Sequence, residues 1–526
     1  METACVRITE LPNTSALFAD YLYNFERVAR FYAHDPADPE SFRRAAAAVD
    51  LSAERRAALV AALREQNVAG AALEKLAQPG TVAVMTGQQV GLFLGPCYAV
   101  YKALTAVGLA AKLTAAGIPA VPVFWLATED HDFDEVNHCW VFNAANEPVR
   151  LELAGENAER RPVGMIRIEH APLDGLRAAL GGLPFGEETA ALVAEAYGDG
   201  ETLGSAFTKL LRRILRGQDL LFFDPMHPAS RRLAAPLLAD AVRAMPDLTA
   251  RLVERGKELA AAGYHAQVLI EAQTSLVFLL ENGRRLGLRR NGDEFQTPDG
   301  RKISSADLAA RAESLSPNAV LRPVVQDSMV PTVAYVGGPA ELAYLAQSQV
   351  IYQALLGRMP VAVPRASATL LDARAAKLFD RYGLTLPDFF RGEDAIRAQI
   401  AEKLVPPGLK AAIGDARVRV GQTLDGLQGT FAGFDPTLAA AFATNRRKIE
   451  YQLAKTERKA ARESLRRDER ASAEAAYAVG LVYPQKHLQE RRYSLIPFLA
   501  RHGEALIERL AGETGRESVE HRVLVV

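Results

Sequence analysis

Residues 124–138 read FWLATEDHDFDEVNH, an apolar run that ends in Glu129, Asp130, His131 and Asp132, with Asp134, Glu135 and His138 close behind. Carboxylates and imidazoles crowded after a core-forming segment can do three kinds of work. They can converge on a metal, for which His131, Asp132, Asp134 and His138 supply enough ligands. Their spacing matches none of the familiar helical or Cys-x-x-Cys frames, and no tightly bound metal is expected. They can cap the next element or pair with surface charges. They can also recognise a polar substrate, and an anionic crevice suits an amine. Gln88 and Gln89 stand in a comparable place, after the apolar run that begins at residue 81.

The elements that must position these groups follow from periodicity. TVAVMTGQQ (81–89) is a β-branched run ending at Gly87, hence a buried strand entering a loop. GPCYAVYKALTAVGLAAKLTAAG (95–117) has helical spacing up to Gly117, and IPAVPVFWLAT (118–128) is the next buried strand. Strand, Gly-containing loop, helix and strand make a βαβ unit, the building block of a parallel sheet. Further strands are expected at 219–225, 266–270, 332–338 and 359–365, the first and third leading into helices. A parallel sheet gathers functional groups outside the C-terminal ends of its strands, so Gln88–Gln89 and 129–132 are expected to face one crevice. Two Gly-Pro helix starts, at Gly95-Pro96 and at Gly337-Gly338-Pro339 with Glu341 in its first turn, would add N–H groups suited to phosphate. Segments 140–170 and 277–303 read as hairpin insertions, the second with Asn-Gly, Asn-Gly and Asp-Gly pairs at 282, 291 and 299.

A chain of 526 residues is long enough for two or three domains. Its 62 Lys and Arg nearly balance 63 Asp and Glu, so no global field favours nucleic acid or membrane partners. Cys5, Cys97 and Cys139 form no Cys-x-x-Cys pair, the start METACVRITELPNTS lacks a signal-peptide pattern, and 90–113 carries Lys102 and Lys112. A soluble cytoplasmic protein is expected. The sequence has no GxxxxGK[ST], HExxH or GxSxG motif, which disfavours P-loop NTPase, zincin and serine-hydrolase chemistry. Residues 16–77 read as helices. From about 371 the chain is helical and charged, with Leu438, Phe442, Ile449, Leu453 and Leu465 on a thin stripe of the kind that packs on another long helix. The run 446–470 holds ten basic and five acidic residues and reads as a solvated coiled-coil face. The expected organisation is a core at 1–370 with insertions near 140–210 and 277–320, a helical domain at 371–475, and a segment at 476–526 that docks back on the core.

TGQQVGLFLGPCYAVYKAL, VPVFWLATEDHDFDEVNH, SPNAVLRPVVQDSMVPTVAYVGGPAELAYLAQ and LQERRYSLIPFL together resemble the cysteine ligase family of bacillithiol biosynthesis, BshC, in order and over nearly the whole chain. The resemblance implies an α/β fold: a Rossmann-like parallel sheet core with inserted connecting segments and a C-terminal helical coiled-coil domain that pairs two subunits. It implies ligation of cysteine to glucosaminyl-malate, an amide bond made through an activated carboxyl, with ATP or another nucleotide and magnesium. Asp130, His131 and Asp132 would be catalytic, His131 taking a proton from the amine. Gln88, Gln89, Glu129, Asp134, Arg322, Gln326, Glu341 and Arg491 would bind substrates, the two arginines clamping the malyl carboxylates. Gly95, Pro96, Tyr98, Gly337 and Gly338 would hold the nucleotide. The family's core is similar to nucleotidyltransferases and class I aminoacyl-tRNA synthetases, but LGPCY stands where those enzymes carry His-x-Gly-His. DGRKISSADL (299–308) mimics their Lys-Met-Ser-Lys-Ser loop and reads more plainly as a Ser304-to-Asp307 capping box. Cys97 reads as core packing rather than as a nucleophile. A metal-dependent hydrolase, a nucleotidyltransferase-like enzyme and a coiled-coil scaffold with a vestigial site stay open as alternatives.

Overall fold

The computed structural model describes residues 4–157, 159–515 and 519–526. Five apolar runs, Val82–Gln88 (β1), Ala120–Leu126 (β2), Leu221–Phe223 (β3), Thr332–Gly337 (β4) and Val361–Pro364 (β5), form a parallel sheet in the order β5-β4-β1-β2-β3. The chain winds outward from β1 to β3 and then returns to the other side of β1, so the winding reverses between β1 and β4. Strands covered on both faces can be apolar throughout. Val82 and Val84 share one small core with Ala106, Ala110, Val333 and Val361. Ala83, Met85, Tyr335 and Ala362, pointing the other way, join the main core. Tyr98–Ala115 (α1) packs on β1 and β2, and Pro339–Leu355 (α2) packs on β4 and β5.

The second insertion is β-rich, as its turn pairs predict, and the first opens with a hairpin and continues as helices. His138–Phe142 and Pro148–Glu152 form a hairpin after β2. Thr274–Glu281 and Arg284–Asn291 form another around Asn282-Gly283, where φ is 52° and 73°, and three short strands extend it to a five-stranded sheet. Ser304 caps the helix Ser305–Ala310, its Oγ accepting from Asp307 N at 3.0 Å. In the C-terminal part, Pro407–Phe434 (α3) and Pro436–Arg467 (α4) form a helical hairpin. The rings of Phe431 and Phe442 meet at 5.1 Å, and Arg446 reaches Asp425 at 2.6 Å. Glu469–Val482 (α5) runs across residue 475. The last strand, His521–Val525, pairs with Ala4–Val6 and with Ala368–Leu371, so the two chain ends share one sheet. No helix among the described residues is long and apolar enough to cross a membrane.

Three expectations fail for local reasons. Residues 266–270 form no strand. The Gln347 side-chain amide takes both backbone groups of Val268, at 2.8 Å each, and Leu269 is 82 % exposed. The first helix stops at Tyr23, and two 3-10 turns follow it. The long helix expected beyond 438 is cut at Asp468, whose carboxylate caps Ala471 N at 2.9 Å and starts α5.

Candidate functional site

The C-terminal ends of β1, β2 and β4 open into a cavity of about 1060 Å³, closed from the side by the inserted sheet and by residue 491. Its acidic wall is the segment after β2. Glu129 is 3 % exposed, and neither of its carboxylate oxygens meets a hydrogen-bond donor among the described residues. The nearest cation is Arg231, whose Nη1 lies 3.9 Å away. Burial pushes the Glu129 carboxyl up, against the opposing pull of Arg285 and Arg231. Gln89 stands beside it with the same deficit: its Nε2 donates to Asp130 at 2.8 Å, while its buried Oε1 has no donor. Three acceptors without a hydrogen-bond donor are therefore buried in one wall of the cavity, an arrangement that costs free energy.

Asp130 is the opposite case. It accepts from Gln89, from His131 N at 2.7 Å and from Arg285 Nη1 at 3.1 Å. Burial raises its carboxyl, but these bonds and charges outweigh that and hold it well below the usual carboxylate range. Its valences are used in fixing the loop. The same Arg285 nitrogen lies 3.1 Å from His131 Nδ1, and Asp130 Oδ1 is farther, at 3.5 Å. Arg285 and Asp130 thus hold the imidazole at the cavity wall. Asp132 caps the turn Phe133–Val136 through Glu135 N at 3.3 Å. Asp132, Asp134 and Glu135 are exposed at the rim, where burial and neighbouring carboxylates raise Glu135. Among the described residues, no three His, Cys, Asp or Glu side chains come together as a metal site.

The basic wall lies across the cavity. Lys102, buried on α1, gives its three N–H groups to Gly87 O at 2.6 Å, to Gln88 Oε1 at 2.9 Å and to Glu341. Both Lys102 and Gln88 are thus held as structure. Glu341 also accepts from Tyr335 at 2.7 Å and from Gly338 N at 2.8 Å. Burial would raise its carboxyl, yet Lys102 and these donors bring it below the usual value. A protein carboxylate therefore occupies the first N–H of α2, the place where phosphate was expected. Arg322 donates to Tyr344 at 2.7 Å. Arg365 and Arg491 both lie against the Tyr98 ring, 5.2 Å and 5.7 Å from its centroid.

Of the residues singled out in the sequence, Gln88, Gln89, Tyr98, Glu129, Asp130, His131, Asp132, Asp134, Arg322, Gly338, Glu341 and Arg491 line this one cavity. Gln326, Gly95, Pro96 and Gly337 do not. Gln326 is buried in the helix Arg322–Met329, with its amide on Asp327 at 3.3 Å. Gly95 and Pro96 precede a helix that starts only at Tyr98, and Cys97 N there donates to Tyr493 O at 2.7 Å, so that helix start is occupied by the protein's own chain. Sequence reasoning missed Arg231, Arg285, Lys102, Arg365 and Glu490. Each is a charged residue in an apolar setting whose partner lies far along the chain. Glu490, next to Arg491 in LQERRY, was the one with a visible cue.

Comparison with known proteins agrees with this architecture. The family model "Bacillithiol biosynthesis BshC, N-terminal Rossmann-like domain" matches residues 1–366, and "Bacillithiol biosynthesis BshC, C-terminal coiled-coil domain" matches residues 368–526. A Solibacter usitatus protein named "Putative cysteine ligase BshC" is 55 % identical over the full length of both chains. Proteins of the same name from Koribacter versatilis and Symbiobacterium thermophilum are 37 % and 34 % identical, over 99 % and 97 % of both chains.

Proposed function

This chain belongs to the BshC family of bacillithiol biosynthesis, and from that premise we propose that it is a cysteine ligase, joining the cysteine carboxyl to the amine of glucosaminyl-malate. The observation that carries the reading is the set of acceptors on Glu129 and Gln89 that lack donors, buried in the wall of a cavity that basic residues also line. An ammonium supplies the donors those oxygens lack. Glu129 binds the amine and, being a carboxylate of raised basicity in a buried place, accepts the proton that the amine must lose before it attacks. The negative charge that develops on the acyl oxygen meets the His131 imidazole, held beside Arg285 and Asp130 at the cavity wall. Arg322 and the rim carboxylates Asp132 and Asp134 are the groups that fit a nucleotide and its magnesium. When bound, the nucleotide would supply the carboxyl activation that amide formation requires.

The reading extends to the whole protein. The exposed apolar residues of the α3–α4 hairpin support a homodimer, and three unpaired cysteines suit a reducing cytoplasm. The test is a mass-spectrometric assay with cysteine, glucosaminyl-malate, ATP and magnesium. It should give a product of the summed mass less water, and no product without cysteine. Absence of product under all nucleotide conditions would overturn the ligase reading.

A further inference from the structure

We propose that Glu490 is a positioning residue for substrate recognition: it holds Arg365, which with Arg491 forms a dianion subsite for the malyl carboxylates. The inference rests on the ligase reading for the identity of the substrate, and on geometry alone for the subsite. Arg365 and Glu490 are 5 % and 2 % exposed and pair at 2.7 Å through Nη2 and Oε1. Glu490 Oε1 also accepts from Ser367 at 3.0 Å, and Oε2 accepts from Ala368 N at 2.9 Å. Beside it, the Gln489 amide takes Leu370 N at 2.7 Å and Leu370 O at 2.8 Å. Two consecutive side chains thus act as a partner strand for Ala368–Leu371, on the edge that His521–Val525 does not use. This fixes the short helical turn Gln489–Arg492 in place.

Two consequences reach the cavity. The turn presents Arg491, which is exposed, against the Tyr98 ring. Glu490 binds one end of the Arg365 guanidinium, while Nη1 is taken by Ala366 O at 2.8 Å. No acceptor among the described residues takes Arg365 Nε–H. A Cβ at Gly338 would lie 3.6 Å from that nitrogen, so the glycine leaves it uncovered. One buried and one exposed guanidinium therefore stand around one aromatic ring. That arrangement suits two carboxylates carried on a short linker, as in malate. The matched N-terminal domain ends at residue 366 and the C-terminal one begins at 368, so the subsite is built by both domains.

The experiment uses the full chain, with malate itself as the first probe. Calorimetry should show malate binding to the wild type, weakened about tenfold or more in Glu490→Gln and in Arg491→Gln. In turnover, both variants should raise KM for glucosaminyl-malate by a similar factor and leave KM for cysteine within about twofold. With methyl glucosaminide, which lacks the malyl group, variants and wild type should become equal. Arg491→Gln changes an exposed side chain, so it decides the matter should Glu490→Gln fail to fold. Unchanged malate affinity in a folded Arg491→Gln protein, or a KM rise shared equally by both substrates, overturns the subsite. Malate binding that depends on Arg491 in a protein without ligase turnover would support the subsite while contradicting the ligase reading.

Discussion

Glu129 and Asp130 are adjacent carboxylates with opposite fates, and the difference is hydrogen bonding. Asp130 has three donors, whereas Glu129 has burial and two arginines that do not bond to it. Those arginines have other partners: Arg231 donates to Glu313 O at 2.9 Å and Arg285 to Pro317 O at 3.0 Å. Removing the Glu129 charge therefore orphans neither of them. Its folded pKa lies above the ordinary carboxyl value of 4.5, so whatever stability this carboxyl contributes is present below about that pH and is lost as pH rises through the raised value. Glu129→Gln should accordingly melt no lower than the wild type at neutral pH, and relatively lower toward pH 4.5, while losing turnover. Thermal melts at both pH values and a turnover assay check this; a variant that retains turnover contradicts the assigned role. Cys97, fully buried, has its thiol pushed up by burial and by the nearby Glu490. Cys97→Ala should cost about 1–2 kcal/mol as a small core truncation and keep most of the turnover.

At the scale of elements, the two Gly-Pro helix starts look alike in sequence and differ in physics. Gly95 has φ 60° and ψ −154°, a conformation nearly confined to glycine, and it lies outside the cavity. Gly338 has φ −82°, which any residue adopts, and it lines the cavity beside Arg365. Gly95→Ala should lower stability by about 1–3 kcal/mol, with KM unchanged in the protein that folds. Gly338→Ala should melt like the wild type and bind substrate more weakly. Denaturant titration and KM separate the two, and an exchange of the two phenotypes would refute the distinction. The sequence could not tell these glycines apart, because φ is set by the 3-10 turn Leu92–Leu94 in one case and by a capping Glu341 in the other. What was legible was the βαβ unit and the crowded segment after β2, since short-range periodicity specifies both. What was not legible depended on distant partners. Val268 is paired by a side chain 79 residues away, and Arg365 by one 125 residues away.

For the whole molecule, the decisive feature is the α3–α4 hairpin. The two helices pack on each other, α4 packs also on the helix Glu393–Leu404, and Leu424 is the single buried residue of α3. Val418, Phe434 and Tyr451 are 59 %, 84 % and 55 % exposed, and Leu427, Leu438 and Ile449 are exposed as well. Nearby charges pair among themselves, Arg446 with Glu450 at 2.9 Å and Arg466 and Arg467 with Glu463 at 2.8 Å, and the Arg458 guanidinium lies 5.6 Å from the centroid of the Tyr451 ring. In the proposed homodimer a second copy covers part of this surface, giving a four-helix contact. None of the residues that line the cavity comes from this hairpin, so separating subunits joined there should leave it intact. Leu427→Glu combined with Ile449→Glu should therefore turn a dimer at micromolar concentration into a monomer that still binds malate with nearly wild-type affinity. Light scattering that finds the wild type monomeric at micromolar concentration, or the double variant still dimeric, would place the subunit contact elsewhere or remove it.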